Sequence, residues 1–208
     1  TNVGGLAGSA ADMLSSGSVR PYYRTNQYTG ADGVTRPCIS FYATNYLTNL
    51  TVNSLGTAPF TVCAVAKAGT QTGTAGGAIF ASPTANNQFR VAYHIGGSQS
   101  NVMQHFNPSP YDKNSGAIFA KASTDLIFYV WRMDTGGNLD FIEDGSTKSV
   151  QFSGGGSVTI RQIGELSLAP GVIPFTGDML ELFIYSVDLT DAELAKLFGY
   201  VSENWGIP

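Results

Sequence analysis

The sequence predicts an all-β domain, a sandwich of two antiparallel sheets closed by one short C-terminal helix. Three observations predict it. Short apolar, β-prone runs alternate with gaps rich in Gly, Ser, Thr and Asn along nearly the whole chain. The 208 residues include 25 glycines, and only 12% are charged. One stretch near the C-terminus, opened by Thr190-Asp191-Ala192-Glu193, departs from this pattern and carries helical spacing. A chain of this length is ordinary for a single β-sandwich. It can bury most of its apolar surface in one core.

The elements follow in order. Residues 1–17 are small and polar with Ala and Leu, and read as an irregular N-terminal arm; residues 18–208 read as the one folded domain. Tyr22 and Tyr23 open the ordered part, and Asp32-Gly33 signals a turn between two strand-like pieces. Cys38 to Phe41 and Phe60 to Lys67 read as strands, and the glycine-rich Gly69 to Gly77 reads as a loop. Ala78 to Ala81, Phe89 to Ile95 and Val102 to Phe106 are further strands. Asn107 to Ser115 is a Pro-containing loop.

The strand Asp125 to Met133 is nearly continuous in apolar character, so both of its faces are expected to be covered. Asp134 to Asn138 is a hairpin turn into Leu139 to Glu143. Asp144-Gly145 turns into Lys148 to Phe152, and Val158 to Leu166 is another strand. Met179 to Tyr185 is an apolar run interrupted only by Glu181. Thr190 and Glu193 then form a capping box, flanked by Leu189 and Leu194 as a hydrophobic staple. The helix is expected over about Thr190 to Glu203, packed by Leu194, Leu197, Phe198 and Val201.

The C-terminal segment resembles a known family. Phe175-Thr-Gly177 leads through Glu181 to Tyr185, then Leu189-Thr-Asp-Ala-Glu193, then Gly199-Tyr200-Val201 and Trp205-Gly206. This order resembles the end of the concanavalin A-like, laminin-G-like jelly rolls found in bacteriophage virion proteins and bacterial surface proteins. Arg20-Pro21-Tyr22, Arg36 to Phe41, Asn45-Tyr46-Leu47, Phe60 to Lys67 and Gly77 to Ala81 extend the likeness upstream. It thins between about Pro83 and Ser123. The resemblance implies a two-sheet antiparallel jelly-roll sandwich. It also implies a surface-displayed module, extracellular or on a virion, in contact with glycan or with a neighbouring virion or fibre protein. A homo-oligomer is compatible with either.

Composition narrows the partners. The net charge is -4 and the pI about 5.0. Lys and Arg are scattered, which argues against nucleic acid, whose binding rests on clustered cations. No run approaches the ~20 apolar residues of a membrane helix. Cys38 and Cys63 each sit within an apolar strand, as buried thiols or as one inter-strand bridge. Neither CxxC spacing nor a Cys/His cluster suggests a metal.

Catalysis finds little support. Jelly-roll β-glucanases set two carboxylates on one strand face in an E-x-D-x-x-E pattern, about 5 Å apart. The residues two positions after Glu143, Glu165, Glu181, Glu193 and Glu203 are Gly145, Ser167, Phe183, Ala195 and Trp205, so that pattern is missing. No Gly-x-Ser-x-Gly elbow accompanies His94 or His105. Asp134 to Asp140 offers oxygens for calcium but reads as a hairpin turn. The chain is therefore expected to be no enzyme and to hold no cofactor or metal.

What remains are aromatic faces and neutral hydrogen-bonding edges, the groups that bind sugars. Tyr93, His94, His105, Tyr111 and Trp131 are the ligand-binding candidates. Three classes stay open: a non-catalytic lectin-like module, a structural virion module such as a head-decoration, fibre or tail-appendage domain, and a hydrolase with an atypical site.

Overall fold

The computed structural model describes residues 20–42, 45–56, 59–69, 77–81, 88–95, 98–106, 113–114, 125–152, 158–164 and 174–208. In chain order the strands are β1 Tyr22–Thr29, β2 Thr35–Phe41, β3 Leu47–Gly56, β4 Phe60–Ala68, β5 Gly77–Ala81, β6 Gln88–Ile95 and β7 Ser98–Phe106. They continue with β8 Lys113–Asn114, β9 Ile127–Met133, β10 Asn138–Glu143, β11 Ser146–Phe152, β12 Val158–Ile163 and β13 Gly177–Tyr185. The helix α1 spans Asp191–Trp205. The strands form a seven-stranded sheet, β1-β2-β13-β4-β9-β10-β11, and a six-stranded sheet, β3-β12-β5-β6-β7-β8. The described pairings are antiparallel. This is the expected two-sheet jelly-roll sandwich. The expected arm, residues 1–17, lies outside the described residues.

Period-two alternation sorts the side chains into two layers. Phe60, Val62, Ala64 and Ala66 of β4 and Ile127, Tyr129, Trp131 and Met133 of β9 face inward. There they meet Ile79, Phe80, Phe89, Val91 and Ile160 of the six-stranded sheet. The intervening Cys63, Val65, Phe128 and Val130 face outward, under α1. The continuous apolar character of β9 therefore has the expected cause, since both of its faces are covered.

In β13 a bulge falls between Met179 and Glu181. Met179 and Leu182 pack on the inner core, while Leu180 and Phe183 pack on the outer one. The extra residue lets Glu181 sit beneath the helix, where its Oε1 accepts from Tyr200 Oη at 2.8 Å. Burial pushes the Glu181 carboxyl up.

Turn chemistry matches the local sequence. Asp144 and Gly145 both take positive φ, 47° and 76°, as a two-residue hairpin turn requires. Asp134 accepts from the Asn138 backbone N–H at 2.9 Å and from its side-chain amide at 2.8 Å. Both of its carboxylate oxygens therefore serve the turn. β8 is a two-residue strand inside the segment expected to be a loop; it pairs with Gln104 and His105. Local sequence could not show it, because its only support is a partner on another strand.

Cys38 and Cys63 are free thiols, both buried. β2 and β4 lie on either side of β13. Two inter-strand spacings are about 9.6 Å, beyond the roughly 7 Å a bridge tolerates. Burial raises both thiols above their ordinary range, Cys63 far above it.

The helix begins as expected. The Thr190 hydroxyl accepts from the Glu193 amide at 3.3 Å, and the Glu193 carboxylate accepts from the Thr190 amide at 2.8 Å. It ends at Gly206, whose left-handed φ of 70° and N–H to the Ser202 carbonyl close the last turn. That turn carries no basic residue of its own. Arg36 of β2 supplies the cation, donating to the Asn204 carbonyl at 2.8 Å and to its side-chain oxygen at 2.7 Å.

The buried stripe differs from the expected one. Leu194, Val201 and Trp205 are buried, whereas Leu197 and Phe198 are half-buried. The sheet beneath the helix ends in the Asp144-Gly145 turn, and Phe198 lies over that rim, stacked on Phe128 at 6.2 Å. Leu194→Ala should therefore cost about 2–4 kcal/mol, and Leu197→Ala roughly half as much, because less of it leaves water on folding. Urea unfolding of the two variants checks the order. Equal midpoints for both variants and the parent would mean the helix is not docked.

Candidate functional site

The sequence-derived candidates separate in the structure. Tyr93 and His94 lie on β6 and His105 on β7. His105 stands opposite Phe89, and His94 opposite Gln99. Five positions along β6 separate Phe89 from His94, so the two histidine positions are about 16 Å apart along the strands. The register shifts on both sides of Tyr93. Tyr111 lies outside the described residues.

Trp131 requires a correction. It is 0% exposed at the centre of the inner core, with Phe89 edge-on at 5.5 Å and Tyr129 stacked at 6.2 Å. Its strand is in the middle of the seven-stranded sheet, and its inward face is roofed by the six-stranded sheet. No ligand reaches it there.

An open aromatic site lies elsewhere, on β1, the outermost described strand of the seven-stranded sheet. Tyr22 stands opposite Ser40 and Arg24 opposite Cys38. Direct cross-strand partners share a face, and Tyr42 follows Ser40 by two positions. Tyr22, Arg24 and Tyr42 thus project together on the outer face, where they line a cleft of about 460 Å³ with Asn45. The rings of Tyr22 and Tyr42 meet edge-to-face at 5.9 Å. The Arg24 guanidinium lies 5.7 Å from the Tyr42 ring centroid and donates to Tyr42 Oη at 2.8 Å.

A local turn anchors Tyr42. Its N–H donates to Asn45 Oδ1 at 3.0 Å, and its carbonyl accepts from the Asn45 N–H at 2.9 Å. Asn45 is buried, so the ring stands on a fixed base. Tyr22 is 59% and Tyr42 47% exposed. Behind the cleft, Asp178 accepts from Ser40 Oγ, and from Tyr28 Oη at 2.7 Å. Burial first, then this bond, pushes the Tyr28 phenol far up.

Sequence reasoning passed over this site, though one signal was present. Adjacent tyrosines on a strand must point to opposite faces. Tyr22 and Tyr23 therefore cannot both enter one core unless each face is roofed, and on an edge strand neither need be.

A second concavity of about 540 Å³ runs between α1 and the β10–β11 turn, lined in part by Phe128, Ile142, Phe198 and Arg132. Arg132 is its polar end. Its guanidinium donates to Asp140 Oδ2 from Nε at 2.9 Å, to Asp191 Oδ1 at 2.6 Å and to the Leu189 carbonyl at 3.0 Å; Asp188 lies 3.7 Å away. These bonds fasten the start of the helix to the sheet. Burial raises the Asp188 carboxyl, while Arg132 opposes the rise.

Asp32, Asp134 and Glu193 are also committed to the fold. Asp32 is held by Arg36, which keeps it down at about 2. Asp134 closes a hairpin, and Glu193 caps the helix. Glu143 is buried and shares its strand parity with inward-facing Leu139 and Phe141. Among the described residues, no group of three or more His, Cys, Asp or Glu is placed to hold a metal ion. The arrangement offers a docking surface of aromatic faces and one cation.

No protein-family model matches the chain, and no curated protein matches its sequence. Solved structures do match its fold. Domain 4 of AbnA, a GH43 extracellular arabinanase from Geobacillus stearothermophilus solved with arabinotriose, superimposes with a TM-score of 0.60. Identity there is 15%, over 85% of this chain and 87% of that one. The CBM40 of Ruminococcus gnavus IT-sialidase, bound to α2,3-sialyllactose, gives 0.50 at 15% identity over 70% and 85% of the two chains. A heptameric SAP-like pentraxin from Limulus polyphemus gives 0.53 at 12% identity over 88% and 78%. At such identities the likeness is one of fold.

Proposed function

We propose that this chain is a non-catalytic, lectin-like module that binds glycan at the Tyr22–Tyr42 cleft. The observation that carries the reading is an open pair of tyrosine rings, one anchored by a turn, beside a hydrogen-bonding rim. A sugar ring presents an apolar C–H face to such a surface and its hydroxyls to the rim. The fold likeness to domains solved with arabinotriose and sialyllactose supports it. Tyr93 and His94 on β6 and His105 on β7 of the six-stranded sheet stay proposed as alternative contacts, and Tyr111 stays proposed with them on the sequence alone. Display on a phage or bacterial surface, for attachment, belongs to the same proposal and rests on the family resemblance.

The test is a glycan array followed by calorimetric titration of the best binder. Tyr42→Ala and Tyr22→Ala should each weaken binding about tenfold, near 1.4 kcal/mol, without lowering the melting temperature. Loss on Tyr93→Ala or His105→Ala, with the two cleft variants unaffected, would move the site to β6–β7. If no glycan binds but the protein is found seated in a virion or fibre, the structural-module reading replaces this one.

A further inference from the structure

We infer that the cleft selects an acidic saccharide, with Arg24 taking the sugar carboxylate. This rests on the glycan-binding reading and adds the chemical class of the ligand. The three arginines with described contacts of this kind are used differently. Arg36 is held by the Asp32 carboxylate and by Asn204 at the end of α1. Arg132 is ringed by Asp140, Asp188 and Asp191. Arg24 is exposed, and among the described residues no carboxylate lies within ion-pairing distance of it.

Its one side-chain hydrogen bond among the described residues, to the neutral Tyr42 hydroxyl, uses one of five guanidinium donors. The remaining donors form a planar fork that suits a carboxylate. The same tyrosine holds that fork in place through its ring. Asp178, on the same face, has one carboxylate oxygen engaged by Ser40 Oγ and the other by Tyr28 Oη, and it makes no ion pair with Arg24 among the described contacts. A chain carrying a net charge of -4 repels anions in general, which makes a local, pre-positioned cation beside two aromatic rings specific in its meaning.

The experiment compares glycans that differ only in the acid. Oligogalacturonate is titrated beside its methyl ester, and sialyllactose beside lactose, each against the parent, Arg24→Gln and Tyr42→Ala. The parent should bind at least one acid form about tenfold more tightly than its neutral partner, with the ratio falling as salt rises. Arg24→Gln should bring the ratio close to one while thermal melts stay at the parent value. Equal binding of acid and neutral forms by the parent, or a ratio that survives Arg24→Gln, overturns the acidic-ligand inference. Neutral binding that is lost on Tyr42→Ala would leave the glycan-module reading standing while removing this one. Absence of any binding to these pairs and to the wider array removes both.

Discussion

Gly177→Ala is expected to cost about 3 kcal/mol or more and to leave little folded protein at 37 °C. Gly177 opens β13 with a φ of +145°, a backbone conformation that residues with a Cβ rarely adopt. An added Cβ would stand 2.2 Å from the Lys67 carbonyl oxygen and 2.9 Å from the Gly69 amide nitrogen. Both obstacles are backbone. The strand cannot step aside, because Gly177 pairs with Ala68 on one flank and Phe41 on the other. The Gly69 amide is itself held by the Thr176 carbonyl at 2.8 Å. The substitution must therefore loosen β2, β4 and β13 together, at the middle of the larger sheet.

Gly199→Ala is the matched control. It lies on exposed helix surface with nothing within 4 Å of an added Cβ. It should gain about 0.5–1 kcal/mol, since alanine loses less entropy than glycine on entering a helix. Urea midpoints of the two variants check the pair. A Gly177→Ala protein within about 1 kcal/mol of the parent would mean the close approach is absent in solution.

The same glycine shows why much of the fold could be read in the sequence. Phe175-Thr-Gly177 is part of the pattern that carries the family resemblance, and the geometry supplies its physical reason. The start of the helix was equally legible, since Thr190 and Glu193 state it through local hydrogen bonds, whereas its end lies at Trp205, two residues past the expected Glu203. Side-chain period separated the two layers of β4 and β9. What sequence could not state was strand order. That Tyr22 lies on the outermost described strand, that β13 separates Cys38 from Cys63, and that Arg36 reaches the end of α1 are all consequences of pairing between distant segments. The candidate site fell in that blind region. Its parts come from β1, β2 and the turn after β2, and each looks unremarkable by itself.

Trp131 is the sharpest instance, and its substitution is the second large effect. Trp131→Ala is expected to destabilise the domain by about 3–5 kcal/mol, the usual cost of emptying a buried tryptophan site. The indole is 0% exposed and joins the sheets by its edge-on contact with Phe89, whose ring in turn meets Phe60 and Phe80 at 5.8 and 6.2 Å. Removing it strips one wall from a row of aromatic contacts that crosses the sandwich. Trp131→Phe should cost less, about 1–2 kcal/mol. It keeps a ring against Phe89 and deletes an indole N–H that has no acceptor among the described residues. The two variants separate packing from recognition. If Trp131 acts only in the core, Trp131→Phe lowers the melting temperature while glycan affinity at 10 °C, where the variant is folded, equals that of the parent. A Trp131→Phe protein that melts with the parent yet loses ligand would return this residue to a binding face, and would require a sheet arrangement different from the one described.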